Sequence, residues 1–172
     1  ERVSSLWDFT SEEKRIPSHE ELRNALPLVD YRDAELRGNL LTFKKDGMGL
    51  DLGAIAKGYI ADEIKDFLLE KGVKSATINL GGNVLCVGEK PEGVPFKIGI
   101  QKPFADRSET IAVMEITDKS VVSSGIYERY FEKDGTFYHH ILNPKTGYPY
   151  DNHLVSVTII PDKSVDGDGL ST

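Results

Sequence analysis

The sequence is poor in cysteine, has no concentrated positive charge and contains no long apolar run, and each shortage removes a class of protein. Cys86 is the only cysteine, so no disulfide forms within the chain. It lies in the apolar run 84–87 and reads as a small core residue. No stretch of about 18 apolar residues occurs, so no helix of membrane-spanning length is expected. Lys and Arg are nowhere clustered. The 21 basic residues are outnumbered by 28 acidic ones, giving a net charge of −7, the wrong sign for a nucleic-acid surface. No signal-peptide pattern opens the chain. It begins on Glu1 and stops at Thr172 inside a helical pattern, and the expectation is a fragment of a longer protein.

What is present suits one folded domain. At 172 residues, 39% of them apolar and 28% charged, the chain is long enough to bury a core. The negative balance carries a chemical corollary. If such a protein binds an anionic nucleotide, it needs a metal ion, helix N-termini or a few well-placed basic groups.

Periodicity gives the elements. Ser18 and Glu21 form a capping box after Pro17, opening a helix with Leu22, Leu26 and Val29 on one face. Residues 40–44 alternate as a strand, with Asp46-Gly47 as a turn and 48–50 as the return strand. The clearest helix follows the 51–58 stretch and stops at Gly72, with Ile60, Ile64, Phe67 and Leu68 as its buried stripe. Strands are expected at 76–80, 84–87, 96–100, 110–117, 120–123 and 155–159. Asp118-Lys119 reads as a turn, and Asp134-Gly135 joins a hairpin of 127–133 and 136–142. Ser164 reads as the cap of a last helix. The sum is α+β: a mainly antiparallel sheet packed with a few helices.

Four stretches are chemically suggestive. In 51–58, DLGAIAKG, glycines flank a helix entrance whose free N–H groups suit an anion, with Lys57 as a point charge; an ordinary helix entrance, with Asp51 as cap and Lys57 in solvent, is the alternative. In 79–83, NLGGN, two glycines permit close approach of a ligand, or simply turn the chain. Ser123, Ser124 and Gly125 suit phosphate contacts. His139 and His140 point to opposite faces of a strand, which argues against both binding one zinc ion. In 166–172, DGDGLST, Asp168 and Thr172 are four apart on one helix face and offer hard oxygens suited to magnesium; a frayed acidic end is the alternative. The P-loop, dinucleotide and EF-hand patterns are absent.

The order of these stretches resembles the ApbE family, the FAD:protein FMN transferases once labelled thiamine-biosynthesis lipoproteins. The matching blocks are 6–9 (LWDF), 51–62 (DLGAIAKGYIAD), 79–84 (NLGGNV), 98–103 (IGIQKP), 122–127 (VSSGIY), 139–149 (HHILNPKTGYP), 155–158 (VSVT) and 166–172 (DGDGLST). They cover nearly the whole chain, in the family's order.

The resemblance implies a single ApbE-like, T-fold-like domain over residues 1–172. It implies a magnesium-dependent transfer of FMN from FAD to a Thr or Ser hydroxyl of an acceptor flavoprotein, with release of AMP. The alternatives are a magnesium-dependent FAD diphosphatase and a non-catalytic FAD-binding lipoprotein. By the same resemblance, Asp51, Lys57, Ser123, Ser124, Gly125, His140 and Ile141 contact FAD. His140 is the candidate for proton transfer. The Ala54 carbonyl, Asp168 and Thr172 bind magnesium, so the first and last motifs meet in space. Ser171 stands where some relatives carry a further carboxylate. Relatives also carry an export signal, often a lipoprotein one, an N-terminal segment that helps hold FAD, and residues beyond the Asp–Thr motif. The corresponding expectation for the parent protein is a periplasmic or extracytoplasmic location with a lipid anchor.

Overall fold

The structure, a computed structural model, describes residues 2–172. In chain order its helices are α1 (His19–Ala25), α2 (Ala56–Glu70) and α3 (Ser164–Ser171). Its strands are β1 (Ala34–Arg37), β2 (Leu40–Phe43), β3 (Ser75–Asn79), β4 (Asn83–Gly88), β5 (Phe96–Gln101), β6 (Thr110–Ile116), β7 (Ser120–Gly125), β8 (Tyr130–Lys133), β9 (Thr136–His139) and β10 (Ser156–Ile159). Every strand pair among the described residues is antiparallel, as expected for the α+β class. The chain forms two compact units: residues up to Asp51 with Arg129–His153, and Leu52–Glu128 with Leu154–Thr172.

In the first unit, the core is aromatic. Val3, Trp7, Leu22 and Phe131 are buried together. Trp7 stacks on Phe9 at 5.4 Å and meets Tyr148 edge-on at 5.7 Å, geometries that aromatic rings favour. The indole N–H donates to the Gly147 carbonyl at 2.9 Å, which satisfies its one polar atom. The Ser18–Glu21 capping box forms as read and starts α1. The β8–β9 hairpin closes through Asp134 and Gly135, both in the left-handed region (φ 51° and 75°), as a tight two-residue turn of this hand requires.

One expected hairpin pairs differently. β2 pairs with β1, with Arg37 opposite Leu40, and no strand forms at 48–50. The turn is at Gly38-Asn39, where Gly38 takes φ 60°. Consequently no strand immediately precedes the 51–58 stretch; residues 44–51 are turn and coil.

In the second unit, a four-stranded sheet runs in the order β10-β7-β4-β3. Side chains alternate across β4. Leu85 and Val87 pack with Ala61, Ile64 and Leu68 of α2, while Cys86, fully buried, packs with Phe96, Ile116 and Val121. So α2 covers one face of the sheet and the β5–β6 hairpin the other. Strands β6 and β7 are not partners, although Asp118-Lys119 joins them. The turn carries the chain from the hairpin to the sheet, and Asp118 takes φ 50° there.

Helix α2 ends as expected. Gly72 adopts φ 79° and Val73 N–H returns to the Leu68 carbonyl at 3.0 Å, a Schellman stop. Its expected stripe holds at Ile64 and Leu68, which pack on the sheet, but not at the other two positions. Ile60 and Phe67 are about half exposed, and Gly58 and Ala61 are buried instead. Small residues take the inner face because neighbouring backbone comes very close: a Cβ on Gly58 would lie 2.5 Å from the Ser164 carbonyl oxygen.

Candidate functional site

In the second unit, the N-terminal turn of α2 meets the C-terminal half of α3 beside the end of β7. The helix α2 begins without a side-chain cap of its own, Ile55 standing at the cap position. Its Ala56 N–H is taken up by the Leu52 carbonyl at 2.8 Å, while the Gly58 N–H needs a partner from elsewhere. Asp168 of α3 supplies one: its Oδ2 accepts from Gly58 N–H at 2.9 Å. Asp168 is only 2% exposed, and a buried carboxylate must be paired or hydrogen-bonded. Its other oxygen, Oδ1, lies 3.6 Å from Lys57 Nζ, so a neighbouring cation completes its compensation.

Hydroxyl groups surround the same end of α3. Ser124 Oγ, on β7, is 2.9 Å from Ser171 Oγ and 3.4 Å from Thr172 Oγ1. Both of those hydroxyls also donate to the Asp168 carbonyl, at 3.3 Å each. Ser123, on the opposite side of β7, bonds Thr158 through their hydroxyls at 2.9 Å. The Ser123 N–H donates to the Gly82 carbonyl at 2.8 Å. The 81–82 pair is thus the β3–β4 turn, and that turn also touches β7. Gly125 has no room for a side chain, since a Cβ there would lie 2.3 Å from the Tyr127 ring. The missing side chain lets that ring approach.

Lys57, Ser124, Asp168 and Thr172 are therefore brought together, from three stretches separated by more than 40 residues. Ala54 lies in the exposed turn that leads into α2, and the adjacent Ile55 side chain sits next to Gly169 of α3. Among the described residues no three His, Cys, Asp or Glu side chains gather to hold a metal. A cation here would rely on one carboxylate, hydroxyls, backbone carbonyls and oxygens of a bound ligand.

The first unit holds Asp51, His140 and Ile141. His139 ends β9 and His140 lies just beyond it, so strand alternation does not relate the two rings; each bonds a different backbone carbonyl. His139 is buried, and its Nε2 donates to the Tyr150 carbonyl at 3.0 Å while its Nδ1 accepts from Ile141 N–H at 3.3 Å. Burial lowers its pKa from the ordinary value of 6.5, against a smaller opposing effect of the Tyr150 carbonyl. The ring is a neutral structural bridge. The His140 Nδ1 donates to the Arg129 carbonyl at 3.2 Å. In a neutral ring this makes Nε2 the basic nitrogen.

Sequence reasoning missed Asp62 and misread Ser164. Lys163 occupies the cap position of α3 and makes no side-chain cap. The cap comes instead from Asp62 of α2, which accepts from Ser164 N–H at 2.8 Å and Val165 N–H at 2.9 Å. Ser164 uses its own hydroxyl to reach Asn83 Oδ1 at 2.7 Å and Ser120 Oγ at 2.9 Å. The only signal was a spacing: Asp62 follows Gly58 by four residues, as Asp168 follows Ser164.

Comparison with known proteins gives one answer throughout. The family model described as the ApbE family matches residues 1–172. A Klebsiella pneumoniae protein named FAD:protein FMN transferase is 46% identical over 97% of this chain and 52% of its own length. A Treponema pallidum protein of the same name is 36% identical over 97% of this chain and 50% of its length. Among solved structures, an ApbE protein from Thermotoga maritima superposes with a TM-score of 0.89 at 37% identity, covering 99% of this chain and 55% of that one. The apo form of the Pseudomonas stutzeri flavinyl transferase ApbE gives 0.83 at 34% identity, over 99% of this chain and 53% of that one. The chain spans about half the length of the curated relatives it matches.

Proposed function

The chain belongs to the ApbE family, and from that premise we propose that this protein transfers the FMN part of FAD to a Ser or Thr hydroxyl of an acceptor flavoprotein, with release of AMP. The observation that supports the reading most directly is the meeting of Lys57 and Ser124 with Asp168 and Thr172 around the α2 N-terminus. It places a cation and hydroxyl groups together beside the start of α2 in a strongly acidic protein.

In the reaction, the acceptor oxygen forms a bond to the flavin-side phosphorus of FAD. The bond from that phosphorus to the bridging oxygen breaks, AMP leaves with that oxygen, and the hydroxyl proton passes to a base. Negative charge grows on the departing phosphate. Lys57, held at the site by Asp168, is suited to meet it, and the Ser124 and Thr172 hydroxyls can donate to phosphate oxygens. On the first unit, His140 is proposed as the proton acceptor on the family resemblance alone. Asp51 and Ile141 are proposed FAD contacts on the family resemblance alone.

Magnesium fits the donor set. Asp168, Thr172 and the Ala54 carbonyl offer hard oxygens, and magnesium commonly takes one or two carboxylates with the rest from substrate phosphates and water. Those three residues would hold it. When bound, it supplies Lewis-acid neutralisation of the diphosphate. We also propose, from the resemblance alone, an extracytoplasmic lipid-anchored location, which fractionation of expressing cells would check.

The experiment combines the protein, FAD, magnesium and a flavin-acceptor domain. The expected result is acceptor carrying covalent FMN and an equal amount of AMP. Free FMN with unmodified acceptor would replace transfer by FAD hydrolysis. Tightly bound FAD left intact would reduce the reading to a flavin-binding protein.

A further inference from the structure

Helices α2 and α3 pass each other through two matching carboxylate contacts. Gly58 N–H of α2 donates to Asp168 of α3 at 2.9 Å. Ser164 and Val165 N–H of α3 donate to Asp62 of α2 at 2.8 and 2.9 Å. In each helix the accepting Asp stands four residues after the donating amide, 58 to 62 and 164 to 168. The two helices therefore run in opposite directions across the contact, and each caps the other. One of the two carboxylates, Asp168, belongs to the site; the other stands one helical turn away, about 6 Å along α3.

We propose that Asp62 is a positioning residue for the cation end of the site: by capping the first turn of α3 it fixes Asp168 and Thr172, and so sets the affinity for magnesium. The proposal rests on the functional reading above. Asp62 does not act as a ligand, since both of its oxygens are engaged by backbone N–H groups. Helix α3 has eight residues, too short to be stable without outside support, and it has no side-chain cap of its own. The orientation of its second turn therefore depends on what holds its first. Position in the sheet is secured separately. The Ser164 hydroxyl reaches Asn83 and Ser120, and Gly167 lies so close to Val122 and Pro161 that a Cβ would come within 2.7 Å of each. Loss of Asp62 should thus leave α3 docked and its far end loosely aimed. Groups that orient metal ligands from behind typically change metal affinity by about 10- to 100-fold when removed.

The test compares the wild-type protein with Asp62→Ala and Asp62→Asn, each titrated with magnesium alone and with magnesium in the presence of FAD, by calorimetry. Asp62→Ala should fold, by circular dichroism, and bind magnesium about 10- to 100-fold more weakly. Asp62→Asn keeps one of the two oxygens that accept from Ser164 and Val165 N–H, and should bind magnesium more tightly than Asp62→Ala. A folded Ala variant with wild-type affinity overturns the proposal. So does an Asn variant as weak as Ala, which would make the effect one of charge. If the Ala variant does not fold, Asp62→Glu decides: the charge is kept but the oxygens move by one methylene, and unchanged affinity overturns the proposal. Binding is read apart from chemistry. Asp62-dependent magnesium binding by a wild type that transfers no FMN removes the proposed function and keeps the role of Asp62. Transfer with Asp62-independent binding does the reverse, and a wild type that binds no magnesium removes both.

Discussion

Asp168 accepts a hydrogen bond from the backbone N–H of Gly58 at 2.9 Å, across 110 residues of sequence. That bond has two consequences that can be separated. It caps α2, which has no cap of its own, and it aims the second carboxylate oxygen toward Lys57.

Substitution of Asp168 should split those roles. Asp168→Asn retains an oxygen for Gly58 N–H, and its cost in stability should be under about 1 kcal/mol, whereas Asp168→Ala removes the cap and should cost about 1–2 kcal/mol. Both remove the carboxylate charge, so both should lower FMN transfer at fixed magnesium by on the order of 10²-fold. Urea unfolding and AMP release, measured on the same preparations, check the split. Equal loss of stability in the two variants would contradict the capping role.

Gly58→Ala tests the close approach of the helices. On an isolated helix the change is favourable by about 1 kcal/mol. Here the new Cβ would fall 2.5 Å from the Ser164 carbonyl oxygen and 2.6 Å from Val165 Cα. Those are backbone atoms, which cannot rotate away. Overpacking of this kind typically costs about 1–3 kcal/mol, so the expected result is net destabilisation, together with loss of magnesium binding as α3 is pushed off. A more stable variant in urea would show that the helices can separate freely.

Lys57 should matter more for turnover than for folding. Its side chain is 44% exposed and its distance to Asp168 is 3.6 Å, so solvent screens the pair and Lys57→Met should shift stability by no more than about 1 kcal/mol. Removing a cation that faces developing phosphate charge should lower kcat by on the order of 10²-fold. Steady-state AMP release, with thermal unfolding as the control, checks both. An unchanged kcat would confine Lys57 to the ion pair.

The first unit should weaken in mild acid through His139. Burial lowers the folded-state pKa of His139 below the ordinary 6.5. Between the two values the unfolded chain binds more protons than the folded one, so stability falls as pH drops below about 6.5 and levels off below the folded pKa. Above about 6.5 the contribution is fully present. Urea midpoints between pH 5 and 8 should show this decline, and His139→Gln should flatten that part of the curve. An identical profile in the variant would place the acid sensitivity elsewhere.

Elements with local causes were legible in the sequence. The Ser18–Glu21 box started α1, Gly72 stopped α2, and Asp134-Gly135 turned the β8–β9 hairpin, because each signal lies within a few residues of the backbone it bends. The order of the blocks points to the family, and Lys57, Asp168 and Thr172 stand out by residue type and spacing. Signals that depended on neighbours were misread. Ile60 and Phe67 looked like core because they are large and correctly spaced, yet Gly58 and Ala61 took that face. Asp46-Gly47 is the stronger local turn signal, yet the hairpin turns at Gly38-Asn39 and pairs Arg37 with Leu40.

By itself, then, the sequence determined the family, the α+β class and the residues able to carry charge and oxygen ligands, since these follow from composition, short-range periodicity and motif order. The tertiary structure alone decided which amide each carboxylate serves. Asp62 and Asp168 each find their partners more than 100 residues away, and only the packing of two helices at a glycine brings those groups within hydrogen-bonding distance.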